Sequence, residues 1–507
     1  MMSTRAAARS SASIPAVAAR PVSAVLSSRL DAALRTADEG HWVLVYGLVG
    51  VVVALLFAAL AYSRVDDARR GVEAIGEAIT SIGAADQAAS LLSGMDAHSI
   101  DNALAGPGGS QAARDAFLTT RAQVDQQLRG MLTGSGTGAQ DDVSIARLQA
   151  ALHEYDIRFG LHTAETRLGF PLGAAQQRAA SDLIDTSAIP GALAVDDANT
   201  SFLTDEYVRR QNGAALGQAA VVVAALAVLA VLAFGQRFMA RTYGRLLNPP
   251  LVAGTVLVAA FAVLSVRALG TASGDLRDMA LGSHSSIHAL QLARVELEHA
   301  RRDQSLFLLE PGHGARYDRE YSVQVRRAFC AHESTAAASD PNSPCQPLTA
   351  QVAQQVAVEL RRGQSFSGRA PGILDGRYTG YLADALRNVT YGDRELNADM
   401  TVLGALVTFE QVDRQMRDLD TSNQHAEAIA LNTGAQQGQG GWAFDQVERS
   451  LQSAADLNRN GYDAALSDAS GSLDLVRAAA PAVALLVVVL IWLGVQPTLS
   501  RYRLAAA

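Results

Sequence analysis

The stretch WVLVYGLVGVVVALLFAALAY, residues Trp42–Tyr62, decides the class of protein, because it is a long apolar run without any charged side chain. A helix needs roughly 20 such residues to cross the hydrocarbon core of a bilayer. Three further apolar stretches follow, at 216–235, 251–269 and 476–495. A charge near the centre of a span costs about 3 kcal/mol or more, and none of the four stretches has one there. The sequence therefore predicts four transmembrane helices.

The composition of the whole chain agrees with a membrane protein. Of the 507 residues, 49% are hydrophobic and only 18% are charged, whereas a soluble domain carries about 25% charged residues. The formal net charge of -8 argues against nucleic-acid binding, which requires a basic surface.

The distribution of Arg predicts which side of the membrane each part occupies. The segments 1–41, 236–250 and 496–507 are short and rich in Arg, and such segments stay in the cytoplasm. The long segments 63–215 and 270–475 contain more acidic than basic residues and should lie outside. We expect the first span to remain as an uncleaved anchor and residues 1–41 to be mostly disordered.

Both long segments have the composition and periodicity of helices. Ala, Leu, Gln, Arg and Glu are abundant, and apolar residues recur three and four positions apart, as on one face of a helix. One such stripe contains Val143, Ile145, Leu148, Leu152, Tyr155 and Phe159; another contains Leu396, Met400, Leu403, Leu406, Phe409, Val412, Met416 and Leu419. The predicted fold is an all-α membrane protein with two extracytoplasmic helical-bundle domains in tandem.

The only two cysteines, Cys330 and Cys345, lie in the second long segment. An oxidising exterior favours a disulfide between them; a pair of buried thiols is the alternative.

Two groups of polar residues are candidate sites. His284 and His288 are four residues apart on a predicted helix and could share a metal ion, but the sequence offers no evident third ligand, so we predict no metal site. Arg301 and Arg302, followed by Asp303, could bind a ligand or partner carboxylate through bidentate hydrogen bonds. Alternatively, they lie on a solvated helix face or pair with a neighbouring helix.

The sequence contains no recognised catalytic or cofactor-binding motif. A phosphate-binding loop, a dinucleotide-binding glycine pattern, an HExxH motif and a nucleophile elbow are all missing from it. The predicted cytoplasmic parts are too short for a catalytic domain. We therefore expect no catalytic residue, no cofactor and no enzymatic activity.

The arrangement of spans and segments resembles the GlnX-type membrane proteins of actinobacteria. The residues that carry the resemblance are Ala300–Tyr321 (ARRDQSLFLLEPGHGARYDREY), Phe444–Leu466 (FDQVERSLQSAADLNRNGYDAAL) and Trp492–Arg503 (WLGVQPTLSRYR). The resemblance implies that the chain relays the occupancy of an extracellular amino-acid-binding lipoprotein of the GlnH type to a cytoplasmic serine/threonine kinase of the PknG type. The implied ligand of that lipoprotein is aspartate or glutamate.

Three functions remain open at this point. The first is the non-catalytic relay just described. The second is a direct small-molecule receptor with helical sensor domains similar to those of chemoreceptors, and the third is a structural scaffold of the cell envelope. The Ala-rich spans also allow close packing in a homodimer.

Overall fold

A computed structural model describes residues 39–505 with short gaps. The gaps are 107, 135–138, 169–171, 244–247, 279–283, 341–342, 368–373, 375 and 388–392. The predicted disorder of the N-terminal segment concerns residues that lie almost entirely outside the described part.

The first half of the chain is built from long helices. In chain order these are α1 (Glu39–Leu104), α2 (Gln111–Gly134), α3 (Ala139–Arg167), α4 (Leu172–Leu183), a π-helical turn (Ile184–Ala188) and α5 (Ile189–Tyr243). Helix α1 ends shortly before Gly106, which has a positive φ, and α2 ends at Gly134, since glycine favours turns over helix interiors.

The second half adds shorter elements between its long helices. The helices are α6 (Pro249–Asp278), α7 (His284–Leu309), a 3-10 turn (Pro311–His313), α8 (Gly314–Ala328), α9 (Thr335–Ala338), α10 (Ala350–Ser367), α11 (Tyr381–Arg387), α12 (Asp393–Thr421), α13 (His425–Thr433) and α14 (Gly440–Ala505).

The described part of the chain is nearly all-helical, in agreement with the predicted all-α class, and its exception is one pair of very short strands. Strand β1 (Cys330–Ala331) pairs antiparallel with strand β2 (Tyr378–Thr379). The sequence did not reveal these strands, because two residues are too few for an alternating pattern.

Four helical stretches in the described part of the chain are long and apolar enough to cross a membrane. They are Val45–Leu104, Leu172–Arg241, Pro249–Ala272 and Gly440–Gln496. Each contains one of the apolar runs found in the sequence, and three extend well beyond the length that a bilayer needs. The chain thus has the helices of a multi-pass membrane protein.

The chain divides into two compact units. One, here the span unit, comprises residues up to Ala61 together with Val221–Val263 and the stretch from Ala479 onward. The other, the head unit, comprises Tyr62–Ala220 (the first head segment) and Leu264–Ala478 (the second head segment). Both long polar segments of the sequence therefore belong to one compact unit.

Each head segment has an apolar core of its own. The core of the first segment includes Ile145, Leu148, Leu152 and Tyr155 from α3, together with residues of α1, α2 and α5 and with Val295 from α7. Phe159 lies at its edge, but Val143, which the sequence assigned to the same stripe, is half exposed. The core of the second segment is built on α12, where Leu396, Leu403, Leu406 and Phe409 are buried.

The disulfide between Cys330 and Cys345 is present in the second head segment. The two Cα atoms are 5.3 Å apart, within the usual range for a disulfide. It links β1 to the irregular stretch before α10, where Ala331 also forms an isolated bridge with Gln346.

Candidate functional site

The two head segments meet along a row of polar side chains on α7, most of which are buried. We call these contacts the polar seam. Its members from the first segment are Asp86, Asp96, Asp101, Asp185 and Asp196; those from the second are His288, His299, Arg301, Arg302, Asp303 and Ser305.

Helices α1 and α7 run side by side in the same direction along the seam. The residue numbers of the paired side chains increase together on both helices. Asp86 pairs with His288, Ser93 with His299 (3.0 Å) and Asp101 with Ser305. Gly94 permits the close approach, because a Cβ atom at this position would lie 3.0 Å from a carboxylate oxygen of Glu298. A larger residue at Gly94 would require the carboxylate of Glu298 to shift.

Arg302 is the centre of the most highly charged part of the seam. Its Nη1 atom donates hydrogen bonds to both carboxylate oxygens of Asp185, at 2.7 and 2.8 Å. The same atom lies 3.7 Å from Asp96, and Nε lies 3.3 Å from Asp303. Asp96 and Asp303 have fully buried side chains, whereas Asp185 keeps 36% of its side chain exposed. Solvent therefore reaches this cluster mainly at Asp185.

Asp185 lies on the π-helical turn between α4 and α5. A π-helical turn inserts an extra residue into the helix and often marks a functional position. Here the turn carries the carboxylate that pairs with Arg302 and with His299, whose Nε2 atom is 3.3 Å away.

The guanidinium of Arg302 faces the carboxyl groups of Asp96, Asp185 and Asp303, and the pKa values of these three groups differ. Burial raises the pKa of Asp96 to about 7 and that of Asp303 to about 6. Burial also disfavours the charged form of Asp185, but hydrogen bonds from His299 and Arg302 hold its pKa below the usual range. Asp185 is thus the ionised partner of Arg302, and the deeper carboxyls tend toward the neutral form.

Arg301, the residue directly before Arg302 on α7, joins the same two segments through different partners. Its guanidinium lies 3.1 Å from Asp101 and donates to the side-chain and main-chain oxygens of Asn432, at 2.6 and 2.8 Å. Ser305 completes this group by donating to Asp101 and accepting from Asn432. Both arginines therefore contact oxygen atoms of the protein itself, as in the pairing with a neighbouring helix that the sequence left open.

His288 belongs to a second cluster near the start of α7. Its Nδ1 atom is 3.1 Å from Asp86 and 3.6 Å from Asp196. Burial disfavours its charged form, yet the hydrogen bond with Asp86 and the charge of Asp196 raise the pKa of His288 to about 9. The side chain of His284, the other histidine considered from the sequence, lies outside the described part.

Sequence reasoning identified the seam residues of the second segment only. Arg301, Arg302 and Asp303 were candidates because three charged residues are adjacent there. His288 was a candidate because it lies four residues after His284. The acidic partners Asp86, Asp96 and Asp185 are each isolated on Ala-rich or Ser-rich helices, far away in the chain. Their position on otherwise apolar helix faces is the only signal that could have identified them.

Comparison with known proteins gives one match. Residues 72–208 match the family model described as Actinobacterial sensor domain. This range contains every seam residue of the first head segment. No curated protein and no solved structure shows a significant match. The chain thus carries an actinobacterial sensor domain within a nearly all-helical protein that has four long apolar helices, and its general role is in sensing a signal.

Proposed function

We propose that the protein is a non-catalytic transmembrane relay in extracellular amino-acid sensing. The head unit lies outside the membrane and contacts a solute-binding lipoprotein of the GlnH type that binds aspartate or glutamate. The Arg-rich segments 1–41, 236–250 and 496–507 lie in the cytoplasm and influence a serine/threonine kinase of the PknG type. The identity of both partners follows from the sequence resemblance.

The observation that carries the proposal is how the sensor domain is connected to the second head segment and to the apolar helices. Its residues are held to the second head segment by the polar seam, and its first and last helices, α1 and α5, continue without a break into apolar stretches. A stiff helix can carry a small axial displacement along its length. A shift between the head segments would therefore move helices that also contain the predicted spans.

A contact that changes between two conformations is more easily built from buried ions than from an apolar core. Ion pairs in low dielectric gain attraction but lose hydration, so their net contribution is small although their directionality is high. Two arrangements of the same charges can then lie within a few kcal/mol of each other, as switching requires. Asp185 is the most exposed acidic member of the seam, and solvent and a partner can reach it.

The partners are tested by purifying the tagged chain from its native membrane and identifying bound proteins by mass spectrometry. Recovery of an amino-acid-binding lipoprotein, with or without a serine/threonine kinase, supports the relay. Recovery of neither from well-folded protein argues against it.

The relay itself is tested in a deletion strain that expresses variants at equal membrane levels. Asp185→Asn removes the charge that pairs with Arg302 and should abolish the response of kinase-dependent metabolism to external aspartate or glutamate. Asp182→Asn is the matched control, since Asp182 is exposed on the preceding turn. If deletion of the whole protein leaves that response unchanged, the proposed pathway is wrong.

A direct small-molecule receptor is the second candidate, because the sensor domain contains a cleft. The cleft has a volume of about 140 Å³ and is lined by Asn102, Arg114, Phe117, Phe159 and His162, among others. Ligand sites usually measure roughly 300–1,000 Å³, so an amino acid would have to widen it. A thermal shift of the full-length chain by an amino or organic acid, lost in Arg114→Gln, would favour this candidate over the relay.

A further inference from the structure

A group of three metal-ligating side chains lies at the seam between α1, α5 and α7. Asp86, Asp196 and His288 each offer one ligand atom, and these atoms all lie within 4.8 Å of one another. The carboxylates are contributed by the sensor domain and the imidazole by the second head segment. The three positions are separated by about a hundred residues each in the sequence, so only the folded head unit brings them together.

The distances between these atoms agree with a shared metal ion. Nδ1 of His288 lies 3.1 and 3.2 Å from the two oxygens of Asp86 and 3.6 Å from Oδ2 of Asp196. A tetrahedral ion with bonds of roughly 2.0–2.2 Å separates its ligand atoms by roughly 3.3–3.6 Å. The distances from His288 to both carboxylates therefore lie within a few tenths of an ångström of those around a shared ion, and the ligand atoms of the two carboxylates lie within 4.8 Å of each other.

The burial of the carboxylates is a second, independent observation. The side chain of Asp86 is fully buried and that of Asp196 is 4% exposed. Oδ1 of Asp196 is buried without a hydrogen-bond partner. A buried polar atom without a partner destabilises a protein, and a cation would satisfy this one.

The local charge balance also favours a cation. Asp86, Asp196 and the neighbouring Asp197 are three acidic groups, and the charges that oppose them are those of His288 and of Arg459, which acts on Asp86 from α14. With a protonated imidazole the acidic groups exceed the basic ones by one charge, and by two once a metal ion replaces the proton on His288.

We propose that Asp86, Asp196 and His288 bind a divalent transition-metal ion of the Zn²⁺ type, which joins the sensor domain to the second head segment. One imidazole and two carboxylates suit Zn²⁺ and related ions. Ca²⁺ takes six to eight oxygen ligands, so it fits this group less well. The proposal does not depend on the identity of the signal or of the partners, and a relay without metal remains compatible with the fold.

The first experiment measures binding of Zn²⁺ to the full-length chain in detergent, after removal of the affinity tag and dialysis against EDTA. We expect one tightly bound Zn²⁺ per chain by elemental analysis and calorimetry. Asp196→Asn and His288→Gln should each weaken binding by about 100-fold or more, since even changes beyond the ligands cost 10–100-fold. His425→Gln is the matched control, because His425 pairs with a single carboxylate, that of Asp420, and should bind as wild type does.

Two further readouts separate loss of the site from loss of the fold. Zn²⁺ should raise the thermal unfolding temperature of the wild type in proportion to its occupancy and leave that of Asp196→Asn unchanged, while both proteins keep the same helical circular dichroism without metal. Co²⁺ bound to the wild type should show the visible absorption of a tetrahedral site, which His288→Gln loses. Absence of Zn²⁺ binding, equal binding by all variants, or tighter binding of Ca²⁺ than of Zn²⁺ would overturn the proposal.

Discussion

The apolar cores of the head unit and the polar seam between its segments are stabilised by different kinds of interaction. The cores consist of aliphatic and aromatic side chains on α3 and α12, whose burial stabilises them without requiring a particular direction of contact. The seam consists of ions and hydrogen bonds whose partners must be correctly placed. The cores can therefore keep each segment folded, while the seam selects how one segment lies against the other.

The two head segments also make apolar contacts with each other, but these clusters are much smaller than the two apolar cores. Ile100 and Leu104 of α1 pack near Leu306 and Leu308 of α7 in two minor clusters. These contacts supply attraction without fixing the register of the two helices. The charged groups supply the register, and changes in charge at the seam should therefore alter the arrangement of the segments more than changes in volume do.

The largest expected effect comes from removing Arg302. Arg302→Ala leaves Asp96 and Asp303 buried beside Asp185 without their cation, and breaking such a buried pair costs about 3–5 kcal/mol. We expect a loss of this size in the free energy of unfolding of the purified chain, measured by chemical denaturation. Leu406→Ala, a fully buried core residue of the second segment, costs a similar amount through its cavity and serves as the control.

Hydrogen exchange distinguishes the two variants although they lose a similar free energy of unfolding. Arg302→Ala should speed exchange in α1, α7 and the π-helical turn, and Leu406→Ala should speed it chiefly in α12. If Arg302→Ala changes stability by less than about 1 kcal/mol, the seam does not hold the segments together.

The disulfide should have the next largest effect, and only on the second segment. It closes a loop with a sequence separation of 15, and a loop of this size contributes about 3 kcal/mol in the loop-entropy model. Cys345→Ser should lower the stability of the second segment by this amount, and dithiothreitol should destabilise the wild type but not the variant. A wild type that resists full reduction without any loss of stability would contradict this expectation.

Asp96 should make the stability of the seam depend on pH. Burial raises its pKa from 3.8 to about 7, so the folded state favours the neutral carboxyl. Its contribution to stability is fully present below pH 3.8 and is lost as the pH rises through 7. Asp96→Asn removes this dependence, and the wild type should lose up to about 1.4 kcal/mol more per pH unit than the variant between those values.

The measurement compares urea unfolding of both proteins at several pH values between 4 and 7. Asp185 remains in both proteins, and its lowered pKa acts in the opposite direction, so only the difference between the two curves reports on Asp96. Parallel curves would show that Asp96 is ionised in the folded protein throughout this range.

The sequence contains enough information to predict the helices and the spans. Period and composition identify the buried face of α12, and four apolar runs identify the candidate membrane helices, because both signals arise from neighbouring residues. Val143 was assigned wrongly to the core of α3: Ser144 and Ile145 are buried, whereas Val143 is half exposed and lies off the buried face of the helix. The short strands that flank the disulfide gave no periodic signal.

The polar seam could be predicted only in part. Arg301, Arg302 and Asp303 are adjacent in the sequence and were recognised as candidates, but their partners Asp101, Asp185 and Asn432 are separated from them by more than a hundred residues. Pairing at such distances depends on how the helices pack, which residue periodicity does not specify. The same reason hid the two carboxylates beside His288, those of Asp86 and Asp196, which are contributed by α1 and α5 rather than by a spacing along α7.

The smallest expected effect comes from an exposed ion pair on the same protein. Arg316 lies 2.8 Å from Glu320, four residues later on α8, and its side chain is 57% exposed. Water screens such a pair, so Arg316→Ala should lower the free energy of unfolding by only about 0.3–0.5 kcal/mol. Set beside Arg302→Ala under identical conditions, it removes the same guanidinium from a solvated surface rather than from the seam. If both variants lost the same stability, burial would not explain the strength of the seam, and the contrast between its ions and the apolar cores would have to be abandoned.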